Sequence, residues 1–368
     1  MVSRFPQVFN PNGNDNFSEL IWTNEVIEKS TGLANLNLNK HSYAIEWIKQ
    51  AMSILWRPEE ISMSDDKKQF DDLPKGIKDT FEYVISFLIL LDSIVPNNTS
   101  TLLRVMADEE IKTALYWHTA IESLHRESYQ YILKSVFGED DKKINEVYYK
   151  FKHFEPLLKR NYAITRDFQT LNDLVNKGIV DENNLNQLSY RQETFQRAIF
   201  RAMVNDLAIE GIVFFTGFNT FHIFAYKLGI LQGSNQQITQ IRKDETLHIP
   251  LFTYILKEWR DRGYYYNEEE IKEIFGRSAE ADIEFYTNSI AGEVPLMTEQ
   301  NIKDYIQTLT NQRLALLDIP PIFSVNRNPF EDIEKLLTQD KTSFFETGAI
   351  DYAHIPVNEE DIDKINFD

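Results

Sequence analysis

"AIESLHRESY", residues 120–129, decides how the rest of the chain is read. At about 100° per residue in a helix, His125 stands roughly 60° from Glu122, and Tyr129 returns to within roughly 20° of it. One helix therefore gathers an acid, an imidazole and a phenol on the same side. Leu115, Ile121, Leu124 and Ile132 mark that helix as at least partly buried. Buried ionisable groups are costly unless something compensates them, and the compensation must come from elsewhere in the chain.

The 368 residues include 13 glycines and 12 prolines, about 7% of the chain, against roughly 12% in average usage. Length alone would allow two or three domains. The long stretches without either residue favour one large all-α domain with an ample core. A net charge of −19 argues against nucleic acid as a partner, since phosphate binding needs clustered Lys and Arg. It also fits poorly with anionic membranes; acidity of this size mainly promotes solubility. The opening "MVSRFPQVFNPNGNDN" has no apolar signal core. The most apolar stretch, 212–231, contains Thr216, Asn219, Thr220, His222 and Lys227, so it reads as a buried helix rather than a membrane span. These features predict a soluble cytoplasmic protein with neither nucleic acid nor membrane as a partner. The chain has no cysteine, which excludes disulfides, thiolate nucleophiles and zinc–thiolate sites. Any thiol chemistry belongs to a partner chain.

Three regions are expected: an Asn-rich N-terminal arm over 1–38, a helical domain over 39–340 and a flexible acidic tail over 341–368. Within the domain a helix is predicted over 40–56, ending near "LWRPEE", where Pro58 biases Arg57 away from helix; residues 57–74 read as a loop. Four long helical patterns follow. In "DTFEYVISFLILLDSIV" (79–95), Phe81, Val84, Leu88, Asp92 and Val95 keep 3- and 4-residue spacing, and Pro96 is expected to stop the helix. The second spans 102–136. The third runs over 189–228 with a seam of Met203, Leu207, Glu210, Phe214, Phe218 and Phe221. The fourth covers 235–262, with Gly263 as its C′ residue. Further helical segments are expected over 142–177, 268–290 and 298–316, while 139–190 and "GYYYNEEE" (263–270) read largely as connections and surface. From Glu346 to Asp368 there are seven acids and one lysine, a composition that predicts disorder in isolation.

Asp92 and Glu210 each interrupt an apolar seam where Leu or Ile would be expected. Taken singly, either could be a polar residue at a helix edge or the partner of a buried Arg. The motif Glu-x-x-His occurs twice, as "ESLH" (122–125) and "ETLH" (245–248), and a single match is weak because i, i+3 is simple adjacency on a helix. Yet two of only seven histidines fall in this motif on separate long helices. Ferritin-like dimetal bundles take one carboxylate from each of two helices and Glu-x-x-His from each of the other two. Asp92, Glu210, Glu122/His125 and Glu245/His248 supply that set. Four carboxylates would balance two divalent ions, and oxygen-rich ligation with one imidazole per metal suits iron or manganese better than zinc or copper. The expected fold is thus a ferritin-like helical bundle with additional helices.

The joint spacing of "WRPEE" (56–60), "LLDSI" (90–94), "ESLHRESY" (122–129), "AIEGIVFF" (208–215), "RKDETLH" (242–248) and the tail "FFETGAIDY" (344–352) resembles the radical-generating small (beta) subunit of class I ribonucleotide reductase. The resemblance covers about 40–368. It implies that Asp92, Glu122 and His125 hold one metal and Glu210, Glu245 and His248 the other, with Glu122 and Glu245 bridging. It implies two iron ions per chain, with manganese or a mixed pair as alternatives, and O₂ as the oxidant. Tyr129 matches the tyrosine that the family oxidises to a stable radical, and Phe214, Phe218 and Ile241 its apolar sheath. Trp56 and Asp244 match the family's electron route, which would continue through Tyr352 in the tail to the large catalytic subunit. A homodimer is implied, and the cysteines that reduce ribonucleotides would lie in the large subunit.

His118, four residues before Glu122, stands where some family members have Trp or Gln near a carboxylate ligand. It is expected to support such a carboxylate from outside the metal's own ligands, or else to perturb the site as a titrating group. Tyr129 and Asp92 favour the tyrosyl-radical subtype over the radical-free mixed-metal one. Two rivals share the six residues: another dimetal-carboxylate oxidase, and an iron-storage bundle. Neither needs Trp56, Tyr129 and a tyrosine-bearing acidic tail together.

Overall fold

The computed structural model describes residues 10–14, 19–22, 30–35, 37, 40–180, 192–325 and 327–337. The α-helices are α1 (Ser42–Ser53), α2 (Asp66–Asp72), α3 (Lys75–Leu103), α4 (Glu109–Phe137), α5 (Asp141–Tyr148), α6 (Glu155–Val180), α7 (Gln192–Ala208), α8 (Phe214–Leu228), α9 (Gln232–Asp261), α10 (Glu268–Ser289) and α11 (Glu299–Leu316). The only extended pairing among the described residues is an isolated bridge between Ile21 and Met106. The predicted all-α, ferritin-like architecture is what the chain adopts. Its centre is formed by α3, α4, the continuous α7–α8 rod and α9, with α1 laid across α4 and α9 and the α6, α10 and α11 group packed beside α7.

The long helices form because their apolar stripes bury completely: Phe81, Val84, Leu88, Leu91 and Val95 on α3 are inaccessible to solvent. Helix α4 begins where Asp108 accepts hydrogen bonds from the Glu110 and Ile111 amides at 3.0 and 2.9 Å, an N-cap reinforced by acids in the first turn. It ends at Gly138, whose φ of +69° is open to glycine. Gly263, with φ +73°, sits just past α9 as expected. Gly217 lets α8 approach α3 closely: a Cβ there would lie 2.9 Å from Leu88 and 3.0 Å from Phe87.

Four expectations are corrected. Pro96 does not stop α3, which continues to Leu103; consequently the next helix starts at Glu109, not near 102. A mid-helix proline costs about 3 kcal/mol, but Pro96, Thr99, Thr101 and Leu102 are buried, and packing along α4 outweighs that cost. Residues 57–74 are not a plain loop: they contain a 3₁₀ turn at Pro58–Glu60 and α2. Helix α2 is held by Phe70, whose ring lies 5.1 Å from Phe81 and 5.2 Å from Phe137, and by Asp66. The Asp66 carboxylate accepts from the Gly233 and Ser234 amides at 3.0 and 2.7 Å, so it caps the start of α9. Nor are the described residues of the 139–190 block all surface. In α6, Leu157, Ile164 and Leu171 are fully buried, and the enclosed Arg160 meets Asp282 at 2.6 Å.

A buried ion-pair clamp joins three helix ends. His41, just before α1, places Nδ1 2.8 Å from Asp108 at the start of α4 and Nε2 2.8 Å from Glu258 near the end of α9. Glu110 accepts from the His41 amide at 2.5 Å. Burial alone would lower the imidazole's pKa, but hydrogen bonds and charge from Asp108 and Glu258 raise it to about 9. A group whose pKa is higher folded than unfolded stabilises fully below the unfolded value, here 6.5, and that contribution disappears as pH rises through about 9. Thermal denaturation followed by circular dichroism should therefore show the melting temperature falling across this window in the parent. The fall should be markedly smaller in His41→Gln, whose melting temperature is already lower at neutral pH.

Candidate metal centre

Asp92 comes from the middle of α3, Glu122 and His125 from α4, Glu210 from the α7–α8 junction, and Glu245 and His248 from α9. All six are completely buried. Their helices bring them together because each sits on the stripe that faces the bundle axis. Glu210 has a further device: residues Ile209–Val213 form a π turn, with the Phe214 amide bonded to the Ile209 carbonyl. Such one-turn bulges re-aim a side chain within an otherwise regular helix. The carbonyl of Gly211 in that turn accepts from Arg313 Nε on α11 at 3.1 Å. A Cβ on residue 211 would stand only 3.1–3.2 Å from the Arg313 side chain, so glycine makes this contact possible.

The two histidines turn Nδ1 toward the acids. His125 Nδ1 lies 3.3 Å from Glu245 Oε1, 3.8 Å from Glu122 Oε2 and 3.9 Å from Asp92 Oδ1. His248 Nδ1 lies 3.0 Å from Glu245 Oε2, 3.2 Å from Glu122 Oε1 and 3.8 Å from Glu210 Oε2. Glu122 and Glu245 thus present one oxygen to each histidine. Two groups of side chains that could hold a metal ion result, Asp92/Glu122/His125/Glu245 and His118/Glu122/Glu210/His248. A third such group, His41/Asp108/Glu110, is the helix clamp described above, already engaged in ion pairs and amide hydrogen bonds.

The electrostatics fit cations. Burial, then the Glu122 charge, holds the Asp92 carboxyl well above its usual pKa; burial, then Asp206 and Glu245, does the same to Glu210. Burial opposes ionisation of His248, but the Glu245 and Glu122 carboxylates raise its pKa to about 10. Both oxygens of Asp92 and of Glu122, Glu210 Oε2, Glu245 Oε1 and His125 Nδ1 are buried without a hydrogen-bond partner. Buried carboxylate oxygens left this way are costly. Divalent ions on this set would satisfy those atoms and neutralise the acids, so the residues fit a metal pair.

His118 is also fully buried and was expected to support a carboxylate. Its Nε2 lies 2.7 Å from Glu210 Oε1, and its pKa is held well below the usual value, chiefly by burial. Asp206, one turn before Glu210, is a buried acid that the motif search passed over; its place in the apolar run "MVNDLAIE" was the available signal. Arg313 had no signal, since its role exists only where α11 meets the π turn.

Tyr129 is fully buried one turn beyond His125. Burial, then the Asp92 carboxylate, raises its phenol well above the usual pKa, so the side chain is neutral. Phe214, Phe218 and Ile241 are fully buried, with the two phenylalanine rings stacked at 5.7 Å. Trp56, 7% exposed, donates its indole N–H to Asp244 Oδ2 at 2.8 Å, and that same oxygen lies 3.1 Å from His125 Nε2. Two residues absent from the sequence reading hold this segment down: Gln237 donates to the Pro58 carbonyl at 2.7 Å and accepts from Ser128 at 2.8 Å. Tyr352 and the rest of the acidic tail lie outside the described residues.

Comparisons with known proteins point to one family. The model of the family "Ribonucleotide reductase, small chain" matches residues 33–329. The chain is 27% identical to the ribonucleoside-diphosphate reductase subunit beta of Treponema pallidum over 88% of its own length and 89% of the relative's. It is 26% identical to the subunit of the same name from Halalkalibacterium halodurans, over 89% and 90% respectively. Among solved structures, the ribonucleotide reductase R2 subunit from Clostridium botulinum superposes with a TM-score of 0.78 at 27% identity, covering 90% of this chain and 98% of that one. With this match spanning the helices that carry all six converging side chains, the chain belongs to the ribonucleotide reductase small-chain family.

Proposed function

We propose that this protein is the radical-generating subunit of a ribonucleoside-diphosphate reductase, working as a homodimer with a large catalytic subunit. Asp92, Glu122 and His125 would hold one metal ion and Glu210, Glu245 and His248 the other, with Glu122 and Glu245 shared. Iron is the favoured metal, with manganese or a mixed pair as alternatives. When bound, such a pair supplies a one-electron oxidant after reaction with O₂.

The observation that carries the reading is the hydrogen-bonded line from Trp56 Nε1 through Asp244 Oδ2 to His125 Nε2. A storage bundle or a self-contained oxidase has no need of a fixed route for an electron from an outer indole to an inner histidine. Tyr129 would lose one electron and its phenolic proton to become the stable radical. Its burial, together with that of Phe214, Phe218 and Ile241, would keep water and reductants away. Trp56 and Asp244 would carry the oxidising equivalent outward, the Asp244 carboxylate accepting the indole N–H and so fixing the ring. Tyr352 would be the next station, in a tail over 341–368 that docks to the large subunit through Ile365 and Phe367; residues 1–38 would form an arm and 39–340 the bundle. The absence of cysteine from this chain accords with reduction of the nucleotide on the partner.

Four expected outcomes follow from these assignments. Glu210→Ala or His248→Ala should remain a folded helical protein and lose much of its metal, measured by inductively coupled plasma analysis, because each change removes a ligand and unbalances buried charge; two ions per chain retained in both variants would refute the ligand set. Tyr129→Phe should keep the metals and their reaction with O₂ but lack the sharp radical signal in electron paramagnetic resonance, together with reductase activity. Deleting 362–368 should weaken binding to the large subunit while metals and radical persist. Tyr352→Phe, by contrast, should bind normally and fail to turn over; normal turnover in both would remove the tail from the route.

A further inference from the structure

Three histidines, not two, aim a ring nitrogen at the buried acids; the outer nitrogens of His125 and His118 each have a partner, whereas His248 Nε2 is buried without one. A metal-bound histidine almost always donates its other ring N–H to a carboxylate, carbonyl or similar acceptor, which fixes the tautomer and frees the inner lone pair. His125 does this through Nε2 and Asp244. His118 shows the same arrangement reversed end for end. Its Nδ1 lies 3.3 Å from Thr99 Oγ1, and Thr99 already donates its single hydroxyl proton to the Val95 carbonyl at 3.1 Å. With that proton committed, Thr99 can only accept, so the N–H belongs on His118 Nδ1. The Nε2 lone pair then points inward, 2.7 Å from Glu210 Oε1 and 3.8 Å from Glu122 Oε1.

A lone pair facing a carboxylate oxygen at that distance is repulsive unless a proton on Glu210, or a cation bound by both groups, lies between them. The His118 ring centroid is also 4.3 Å from that of His248, and the inward atoms of His118, Glu122, Glu210 and His248 all lie within 4.8 Å of one another. His118, Glu122 and His125 recur at i, i+4 and i+7 on one face of α4, so the placement is built into the helix.

Resting on the dimetal reading above, we propose that His118 is itself a metal ligand through Nε2, bound to the ion on the Glu210 and His248 side. The two ends of the centre then differ. One offers a single imidazole among three carboxylates; the other offers two imidazoles. Affinity for nitrogen-rich sites rises from manganese to iron along the divalent series, and imidazole suits iron where carboxylate suits manganese. His118 therefore makes the Glu210/His248 end select Fe(II) over Mn(II), while the Asp92/His125 end discriminates less.

The test uses the full-length protein loaded anaerobically with equal Fe(II) and Mn(II), crystallised, and measured by anomalous scattering across both metal edges. The expected result is two ions, with His118 Nε2 about 2.1 Å from the one beside His248, an ordinary metal–imidazole distance, and iron enriched at that end. Two ions with His118 bonded only to Glu210 would overturn the proposal and leave the dimetal reading standing; no ion pair in the parent would overturn both. A second measurement separates ligation from positioning. His118→Gln can still hydrogen-bond Glu210 through its side-chain amide but has no imidazole. Equilibrium dialysis should then show one of the two Fe(II) affinities falling by at least roughly 10-fold, with its preference over Mn(II) reduced. Unchanged affinities in His118→Gln would make His118 a positioning residue only.

Discussion

Four carboxylates buried on the axis of an apolar bundle are the constraint on which the rest of this structure depends. Asp92, Glu122, Glu210 and Glu245 are all shielded from water, and isolated buried anions would drive the helices apart. What makes the arrangement tenable is convergence: each helix supplies its acid to the same point, where imidazoles and cations can meet it. A single helix cannot do this. The bundle must close before all four acids are compensated, so the polar centre and the apolar packing around it form as one cooperative unit.

Irregularities in the helices serve that centre. Pro96 lies four residues after Asp92 and Pro250 two after His248, both inside long helices. At Pro96 the missing amide leaves the Asp92 carbonyl without its usual helical donor. The π turn at Ile209–Val213 re-aims Glu210, and Arg313 reaches in from α11 to satisfy the Gly211 carbonyl. Burial lowers the pKa of Arg313 to about 10, still high enough to keep the guanidinium charged at neutral pH. Local helical regularity is given up where the acid side chains need a direction that a straight helix would not provide.

The surroundings connect this centre to the outside without opening it to water. His125 faces the acids with one nitrogen and Asp244 with the other, and Asp244 in turn fixes Trp56. The Trp56 segment is anchored by Gln237 and Ser128, so the indole's position is set by α9 and α4 rather than by its own loop. Tyr129 is placed by helical periodicity alone and protected by burial. Position and protection therefore come from different sources: the first from spacing along α4, the second from residues far away in sequence.

The sequence by itself determined the helical class, the four long helices and the identity of the six converging side chains, because each rests on local periodicity that one helix expresses unaided. Asp92 and Glu210 stood out as acids in apolar seams, and the two Glu-x-x-His motifs as adjacency on a helix face. What the tertiary structure decided is everything that depends on contacts between distant segments. Pro96 looked like a stop because its cost is local, whereas the burial against α4 that overrides it is not. Helix α2 looked like a loop because Phe70 and Asp66 acquire their roles only against Phe81, Phe137 and the start of α9. The α6 block looked like surface until Arg160 found Asp282. Asp206 was an ordinary polar residue in the chain, and His118 was marked only by its place four residues before Glu122; the closed bundle alone shows which groups their polar atoms face. Local periodicity is written in nearest neighbours along the chain; orientation, partner and charge compensation are properties of the packed whole.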